Sequence, residues 1–469
     1  MPLPRQSLGQ AGVDPAGVAD FIAACEADPA AQLHSLLILR AGHVCFEAHW
    51  APYRAEEPRL LYSLSKMFLS AATGIAVADG AFSYDDPIAE LLSGVGDDSA
   101  VAEQARRIRV RDCLAMATGH EVDLDPKPAL LTPGLGGFSW WLRQEPTGTV
   151  GETFGYHQFA PYACSAAISL RAGRDAHAVL TERVFDPIGA DPGWWTLDAG
   201  GRAFGWSHLH LTPESIAAFA QLIDDGGVRD GAQLLAPEWL NEFGRLQTRT
   251  DAEGNPDWQL GYGWQVWLSS HGFRGDGAYG QFALFLPDAD AIVVTTGATE
   301  NMQSLLDAVW AHLYPAIDRE PTGDEDALAA AARSFALATP AGGDAGPGLL
   351  TAAGPAGDFE LTRAGAGWRL RWRDAAGGDS VVDVGAGAWA RGHLTYPAHT
   401  LPVAAAGGFD GDVFTARLVF TSTPHAAELT LRDGRATFRW ETTPLVGDDL
   451  ATLALTSGTL RRTSEGSPS

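Results

Sequence analysis

The alternation of apolar and polar residues over the first 80 positions predicts a strand pair followed by a buried helix. Residues 33–50 (LHSLLILRAGHVCFEAHW) contain two β-type runs on either side of Arg40-Ala41-Gly42, a pattern typical of a β-hairpin. Residues 63–79 are apolar and rich in alanine, and Gly80 follows them. Because a glycine commonly stands just past the end of a helix, a helix is expected there.

The middle of the chain predicts helices and loops, and then more of the sheet. Up to about Arg202, helical segments alternate with loops that are rich in glycine and proline. Further helices are expected near 213–225 and 301–313. Between those two helices, residues 261–297 predict three strands joined by turns, with Pro287-Asp288 at one turn.

The composition changes beyond Pro315. An acidic, alanine-rich stretch (GDEDALAAAARSFAL) predicts a helix, and a linker rich in glycine and proline follows it. Short runs such as WRLRWRD and FTARLVFTST then alternate with period two, which predicts an antiparallel β module over residues 350–463. We therefore expect a first domain over residues 1–315, a helix and linker over 316–349, and a C-terminal β domain over 350–469.

Composition and charge narrow the classes of function. The chain has 469 residues, 46% of them apolar, and a formal net charge of -26. Because such a surface repels phosphate backbones and anionic lipid, we expect neither nucleic acid nor a membrane as partner. The opening residues lack the basic-then-apolar pattern of a secretory signal, and no apolar stretch is long enough for a membrane span. The four cysteines are scattered, which predicts reduced core thiols in a cytoplasmic protein.

Lysine is almost absent from the sequence. It occurs only as Lys66 and Lys127, and arginine supplies the other 30 of the 32 basic residues. Arginine stays protonated at any usable pH, whereas a desolvated lysine can lose its proton. A lysine inside an apolar helix therefore indicates a residue that works in its neutral form.

Ser63-Leu64-Ser65-Lys66 is an S-x-x-K motif at the start of the predicted helix. The spacing of three places the Ser63 hydroxyl and the Lys66 amino group on one helix face, one turn apart. The helix N-terminus adds free N–H groups and a partial positive charge, which favour an oxyanion and a neutral lysine. Because a serine hydroxyl needs an adjacent base to act as a nucleophile, the motif predicts a nucleophile and its base.

Three other segments carry candidate chemistry. FGYHQFAPYACSAAI (residues 154–168) predicts a short loop with Tyr156 and Gln158, followed by an apolar helix. FRGDGAYGQFALFLPDADAIVVTT (residues 273–296) predicts a glycine-rich entry into two apolar strands, where glycine lets the backbone approach a ligand closely. His208-Leu209-His210 places two imidazoles on one side of a strand, but no third ligand is nearby. We therefore expect these histidines to be structural and no metal to be bound.

These motifs resemble those of the β-lactamase-related serine hydrolases, which include class C β-lactamases, D-alanyl-D-alanine carboxypeptidases and related esterases and amidases. VRDCLAMATGH (residues 110–120), GWSHLHLTPESIAAFAQLIDDGGVRDGAQLL and GYGWQVW are also similar to that family. The resemblance covers about residues 15–315. It implies an α/β fold with an antiparallel sheet flanked by helices, a helical lobe, and the active site between them. The C-terminal β module resembles the lipocalin-like extensions of some members.

The resemblance implies a role for each residue of the first two motifs. Ser63 is the acylated nucleophile and Lys66 its base. Tyr156 stands for the tyrosine that relays a proton to the leaving group. Gln158 stands where an asparagine is usual, and its amide is expected to hold Lys66 and the acyl oxygen of the substrate.

The third motif departs further from the family pattern. Gly275-Asp276-Gly277 stands where Lys-Thr-Gly or His-x-Gly is more usual. After Gly277, the Ala278 N–H is the expected second donor of the oxyanion hole, beside the N–H of Ser63. Arg274 could replace the missing cation only if its strand turned it inward, and we expect it to be solvated instead.

The predicted function is that of a serine hydrolase that forms an acyl-enzyme on Ser63 and needs no cofactor. The missing cation usually pairs with a carboxylate of the substrate, so an esterase or amidase of small molecules is favoured over a β-lactamase or D-peptidase. Acyl transfer to a small nucleophile other than water remains an alternative, as does a catalytically inactive binding protein on this fold.

Overall fold

The chain folds into two compact units. The computed structural model describes residues 2–93, 101–120, 136–343, 346–375 and 378–460. The first unit consists of residues 1–48 and 61–333, and the second of residues 49–60 and 334–469. The twelve residues 49–60, which come shortly before Ser63, therefore belong to the same unit as the C-terminal residues.

Six strands of the first unit form one sheet. The strands up to residue 333 are β1 (Leu33–Arg40), β2 (His43–His49), β3 (Arg59–Leu60), β4 (Trp194–Trp195), β5 (Leu209–Leu211), β6 (Val228–Arg229), β7 (Ala232–Gln233), β8 (Trp267–Ser269), β9 (Gly272–Gly277), β10 (Gln281–Leu286) and β11 (Ala291–Gly297). The order of the sheet is β2-β1-β11-β10-β9-β8. The hairpin prediction is confirmed, because Ala41 and Gly42 turn the chain between β1 and β2 with φ of 48° and 76°. Residues 261–297 form four strands and not the predicted three, since β8 pairs with β9 as a short extra strand.

Helices flank this sheet and form the lobe beside it. They are α1 (Leu8–Ala11), α2 (Pro15–Ala27), α3 (Ser65–Ala78), α4 (Ile88–Leu91), α5 (Val110–Leu114), α6 (Gly136–Arg143), α7 (Phe159–Ala172), α8 (Ala176–Leu180), α9 (Asp186–Ile188), α10 (Pro213–Asp224), α11 (Pro237–Phe243), α12 (Met302–Ala308) and α13 (Glu325–Ala332). α10 begins where the sequence predicts a helix, because the Thr212 side chain accepts the Ser215 N–H. α10 packs on β1, β10 and β11, and α3 packs against α7. The predicted sheet flanked by helices is confirmed.

The second unit is an antiparallel β module, as the sequence predicts. Its strands are β12 (Leu349–Gly354), β13 (Gly357–Ala364), β14 (Gly367–Asp374), β15 (Asp379–Ala386), β16 (Ala390–Thr395), β17 (His399–Asp410), β18 (Val413–Val419), β19 (Ala426–Arg432), β20 (Arg435–Trp440) and β21 (Thr459–Leu460). Their order is β15-β14-β13-β12-β20-β19-β18-β17-β16, and pairing of β15 with β17 closes the module into a barrel. In β14, Trp368, Leu370 and Trp372 are buried while the arginines between them are exposed, which is the predicted period of two. Helix α14 (Leu450–Ser457) follows the last long strand.

Residues 49–60 pack inside this second unit. Arg59 is buried, and its guanidinium donates a hydrogen bond to the Thr421 carbonyl oxygen. The Tyr53 hydroxyl donates to the carbonyl oxygen of Thr423 at 3.0 Å. The sequence pattern did not predict that this segment leaves the first unit.

The prediction that the cysteines are core thiols is confirmed, because all four are buried and free. Within the described ranges, no helix has both the length and the apolar character that a membrane crossing requires.

Candidate active site

Ser63 lies in a tight turn directly before α3. The turn is a single 3-10 helix, Tyr62–Leu64, and Tyr62 has φ of 48°, a left-handed value uncommon for a residue with a side chain. Ser63 is half-buried, while Lys66 is only 1% exposed. Lys66 Nζ donates to Ser63 Oγ at 2.9 Å and to the Trp206 carbonyl oxygen at 2.9 Å. The fold therefore places the two residues of the first motif in direct contact.

The environment of Lys66 favours its neutral form. Burial lowers the pKa of Lys66 well below its ordinary value, and the Asp276 carboxylate opposes that shift. A lysine that has lost its proton has a lone pair and can act as a base.

Tyr156 lies beside Lys66. Lys66 Nζ is 4.8 Å from the centroid of the Tyr156 ring. The ring stacks on Trp267 with a centroid distance of 5.6 Å and meets Tyr262 edge-on at 6.1 Å. Tyr156 is thus the residue of the second motif that lies next to the serine–lysine pair.

Gln158 does not hold Lys66. It stands directly before α7, and its Oε1 is buried with no hydrogen-bond partner among the described residues. The hydrogen bonds of Lys66 Nζ go to Ser63 and to the Trp206 carbonyl oxygen. The expected contact between the Gln158 amide and Lys66 is therefore wrong, and a backbone carbonyl takes that position.

β9 approaches the nucleophile turn closely because two of its positions have no side chain. A methyl group on Gly277 would overlap the Leu61 carbonyl oxygen and lie 3.0 Å from the Leu64 nitrogen. A methyl group on Gly275 would lie 2.5 Å from Leu64 Cδ1 and 2.8 Å from Met67 Sδ. Both glycines are needed for this approach to the turn. The predicted approach of the glycine-rich strand to a ligand stays a prediction.

Gly277→Ala is expected to lower kcat/KM by about 100-fold or more, because even a displacement of ~1 Å at a reacting group can cost that factor. The added methyl group must push back the turn that carries Ser63. Gly254→Ala is the matched control, since a methyl group there meets no atom within 4 Å. The measurement is kcat/KM with thermal unfolding of both variants. If Gly277→Ala stayed within threefold of the wild type, β9 would not constrain the nucleophile.

The residues before and after Ala278 both lie close to the turn that carries Ser63. Gly277 before it contacts the nucleophile turn. Tyr279 after it has φ of 66°, and its ring lies 5.7 Å from that of Tyr62. Ala278 itself is half-buried. The role of its N–H as an oxyanion donor stays a prediction.

Arg274 is not solvated, which corrects the expectation from the sequence. It is 0% exposed, and its Nε donates to Asp276 Oδ2 at 2.9 Å. Its Nη1 donates to Ser269 Oγ at 2.7 Å and to the Leu268 carbonyl oxygen at 3.0 Å. The guanidinium also lies over the Trp258 ring, 4.3 Å from the centroid. The cation of this strand is thus inside the protein and already paired.

The geometry of a β-strand explains why Arg274 and Asp276 lie next to each other. Alternate residues of a strand share a face, so Arg274 and Asp276 lie on one face of β9 and the two glycines on the other. Burial raises the pKa of Asp276, and Arg274 and then Lys66 oppose the rise. A buried charge without a partner is costly, which is why the arginine and the aspartate occur together.

His208 and His210 are both buried, and burial lowers the pKa of each to about 3. The His210 ring stacks on Trp194 with a centroid distance of 4.5 Å. In the part of the chain that the structure describes, no group of three or more histidine, cysteine or acidic residues could hold a metal ion.

Two features of the site were not predicted from the sequence. Trp206 acts through its backbone carbonyl, which no side-chain motif reveals. Thr118, His120 and His157 form a hydrogen-bonded chain next to Tyr156. The clue in the sequence was the histidine between Tyr156 and Gln158.

Comparison with known proteins identifies the family. The Beta-lactamase family model matches residues 18–313. Of the solved structures, SurE is 19% identical with a TM-score of 0.50, over 91% of this chain and 98% of that protein. EstCE1, a hydrolase with promiscuous acyltransferase activity, is 16% identical with a TM-score of 0.51, over 63% of this chain and 98% of that protein. Both show a shared fold, and the family match covers well over half of the chain. This chain therefore belongs to the beta-lactamase family.

Proposed function

We propose that the protein is a serine esterase or amidase that acts on small molecules through an acyl-enzyme on Ser63. The observation that carries the proposal is the 2.9 Å contact between Ser63 Oγ and Nζ of the buried Lys66. On a solvated surface this lysine would be charged at neutral pH and could not act as a base. Burial removes that obstacle here.

Acylation then follows from the hydrogen bonds of Lys66. Neutral Lys66 can donate one N–H to the Trp206 carbonyl oxygen and use its lone pair to accept the proton of Ser63. Ser63 Oγ attacks the carbonyl carbon of the substrate, and the bond to the leaving group breaks. Tyr156 donates its phenolic proton to the leaving group and is reprotonated by Lys66. In the second half of the reaction, water attacks the acyl carbon and loses a proton to Lys66. The bond from the acyl carbon to Ser63 Oγ breaks, Lys66 returns the proton to Ser63 Oγ, and the acid is released.

Two backbone N–H groups are the proposed oxyanion hole. Ser63 supplies one from its turn and Ala278 the other from the end of β9. Gly277, placed against the turn, sets the spacing between them. Fixed donors aimed at the developing oxyanion are usually a large part of the catalysis in acyl transfer.

The buried Arg274–Asp276 pair supports an esterase or amidase over a β-lactamase or D-peptidase. Arg274 is 0% exposed and its Nε is held by Asp276, so its guanidinium is not available to a carboxylate of the substrate. The Arg274–Asp276 pair is neutral overall, so it offers no net positive charge to a substrate carboxylate. An anionic substrate is therefore disfavoured at this site.

A neutral or cationic ester is accordingly expected to have a higher kcat/KM than a carboxylated ester of the same shape. The ratio should shrink as salt rises, because ions screen charges over about 8–10 Å. The measurement is kcat/KM for one matched pair of esters at low and high ionic strength. A preference for the carboxylated ester that is lost in Arg274→Ala would return the β-lactamase or D-peptidase hypothesis to first place.

The direct test of the proposed function is covalent labelling. A fluorophosphonate probe should add once, on the tryptic peptide LLYSLSK of residues 60–66. This peptide contains two serines, so fragmentation must place the adduct on Ser63 and not on Ser65. An ester and amide panel should then show turnover. A wild-type protein that neither labels nor turns over any substrate would favour the non-catalytic binding protein.

Acyl transfer is the second candidate function. It would use the same acyl-enzyme, and EstCE1 is a structurally similar hydrolase with that activity. Addition of hydroxylamine or a small amine to a turnover assay separates the two. If the hydroxamate or amide forms at the expense of the acid at millimolar nucleophile, the protein is a transferase as well as a hydrolase.

A further inference from the structure

Three buried side chains behind Tyr156 form a continuous chain of hydrogen bonds. Thr118 Oγ1 lies 2.8 Å from His157 Nε2 and 3.1 Å from His120 Nδ1. At one end, the Ala160 N–H donates to His157 Nδ1 at 3.4 Å. At the other end, His120 Nε2 lies 3.2 Å from the Gln144 carbonyl oxygen.

The two ends fix the direction of every bond. A backbone N–H can only donate, so His157 Nδ1 accepts and His157 carries its proton on Nε2. That proton goes to Thr118 Oγ1, whose own hydrogen must then go to His120 Nδ1. His120 therefore carries its proton on Nε2 and donates it to the Gln144 carbonyl oxygen. Each donor meets one acceptor, and both histidines are neutral.

Burial agrees with this assignment. His157 and Thr118 are fully buried, and His120 is 2% exposed. Burial lowers the pKa of His157 to about 3, with His120 and Lys66 acting in the same direction. Burial also lowers the pKa of His120. Both shifts favour the neutral rings that the bond directions require.

Hydrogen bonds from the residues on either side of Tyr156 attach it to the loop after α5. The Gly155 N–H, just before Tyr156, donates to the Met116 carbonyl oxygen at 2.9 Å. His157, just after it, donates to Thr118. The backbone of Tyr156 is thus clamped between two bonds to residues 116–118.

We propose that Thr118 and His157 are positioning residues that hold the Tyr156 phenol in line with Ser63 and Lys66. The proposal rests on the proposed function, because it assigns them to the proton relay of that reaction. Neither side chain touches the reacting atoms. Their effect is expected on the step in which Tyr156 protonates the leaving group.

The test uses two esters with the same acyl group. An alkyl ester has a poor leaving group that needs the proton from Tyr156, whereas a p-nitrophenyl ester leaves without it. Thr118→Val keeps the shape of the side chain but removes the hydroxyl that links the two histidines. It should lower kcat for the alkyl ester tenfold or more, with KM nearly unchanged, and lower kcat for the p-nitrophenyl ester less than threefold.

Three controls accompany this variant. Thr118→Ser keeps a hydroxyl and should restore most of the alkyl-ester rate. Thr73→Val removes another buried hydroxyl, one that donates to the Leu69 carbonyl oxygen, and should leave both rates near wild type. In a Tyr156→Phe background, Thr118→Val should have little further effect, because coupled residues are not additive.

Equal losses on the two esters, or full additivity with Tyr156→Phe, would overturn the proposal in favour of a purely structural role. If Thr118→Val fails to fold, nitrogen-15 NMR of the wild type decides. Both histidines must then appear at neutral pH as neutral rings protonated on Nε2. Any other tautomer of His157 would contradict the assigned directions of the hydrogen bonds and the proposal. Failure of the proposed function is distinct, because the wild type would then hydrolyse neither ester in a Ser63-dependent way.

Discussion

Ser63→Ala is expected to lower turnover of every ester and amide substrate by about 10⁴-fold or more, since loss of a nucleophile in a comparable serine hydrolase costs ~10⁶ in kcat. Among the described residues, Ser63 is the serine whose hydroxyl is hydrogen-bonded to Lys66 Nζ, so it is the one expected to be acylated. The free energy of unfolding should change by less than about 1 kcal/mol, because a half-buried hydroxyl in a turn contributes little to stability. The measurement is kcat/KM on protein freed of host esterases, with thermal unfolding of the same sample.

Ser65→Ala is the matched control for this variant. Ser65 is two residues away and fully buried, and its Oγ accepts the Leu209 N–H at 3.1 Å. Ser65→Ala should keep its activity, and the fluorophosphonate probe should still label it. Activity above one per cent of wild type in Ser63→Ala would show that the nucleophile is another residue.

Lys66→Arg is expected to be nearly as damaging as Lys66→Ala, with a loss of about 10³-fold in the rate of acylation, within the range of general base catalysis. Arginine keeps the positive charge but cannot accept a proton at neutral pH. In the wild type, acylation should fall as the pH drops through the lowered pKa of Lys66, because protonation removes the base. The measurement is the burst or single-turnover rate between pH 5 and 10 for the three proteins.

Lys127→Arg, at the other lysine of the sequence, tests whether any change from lysine to arginine disturbs the protein. It should acylate at the wild-type rate. If Lys66→Arg also acylated within tenfold of wild type with an unchanged pH profile, Lys66 would act by its charge and not as a base.

The local elements of the fold could be predicted because their signals are local. The hairpin at Arg40-Ala41-Gly42 and the S-x-x-K helix both depend on residues within a few positions of each other. The alternation of Trp368, Leu370 and Trp372 with exposed arginines likewise identifies a strand from its own sequence.

What the sequence could not reveal depends on partners that are distant or lack a side-chain signal. Lys66 is held by the carbonyl of Trp206, 140 residues away, and any residue type could supply that oxygen. Arg274 was expected in solvent although Asp276, two positions later, could have signalled an ion pair on one strand face. Burying an unpaired arginine is costly, and the Asp276 carboxylate offsets part of that cost.

The path of residues 49–60 has a consequence for biosynthesis. Arg59 bonds to the carbonyl of Thr421, a residue 362 positions later in the chain. During synthesis on the ribosome, residues 49–60 cannot form these contacts until Thr421 has been added, when almost the whole protein has been made. A protein shortened after residue 333 would keep this stretch, including the Arg59 guanidinium, but would lose the groups that bury it. Removal of residues 334–469 would therefore take away the Thr421 partner of Arg59 and the residues that bury it, four residues before Ser63.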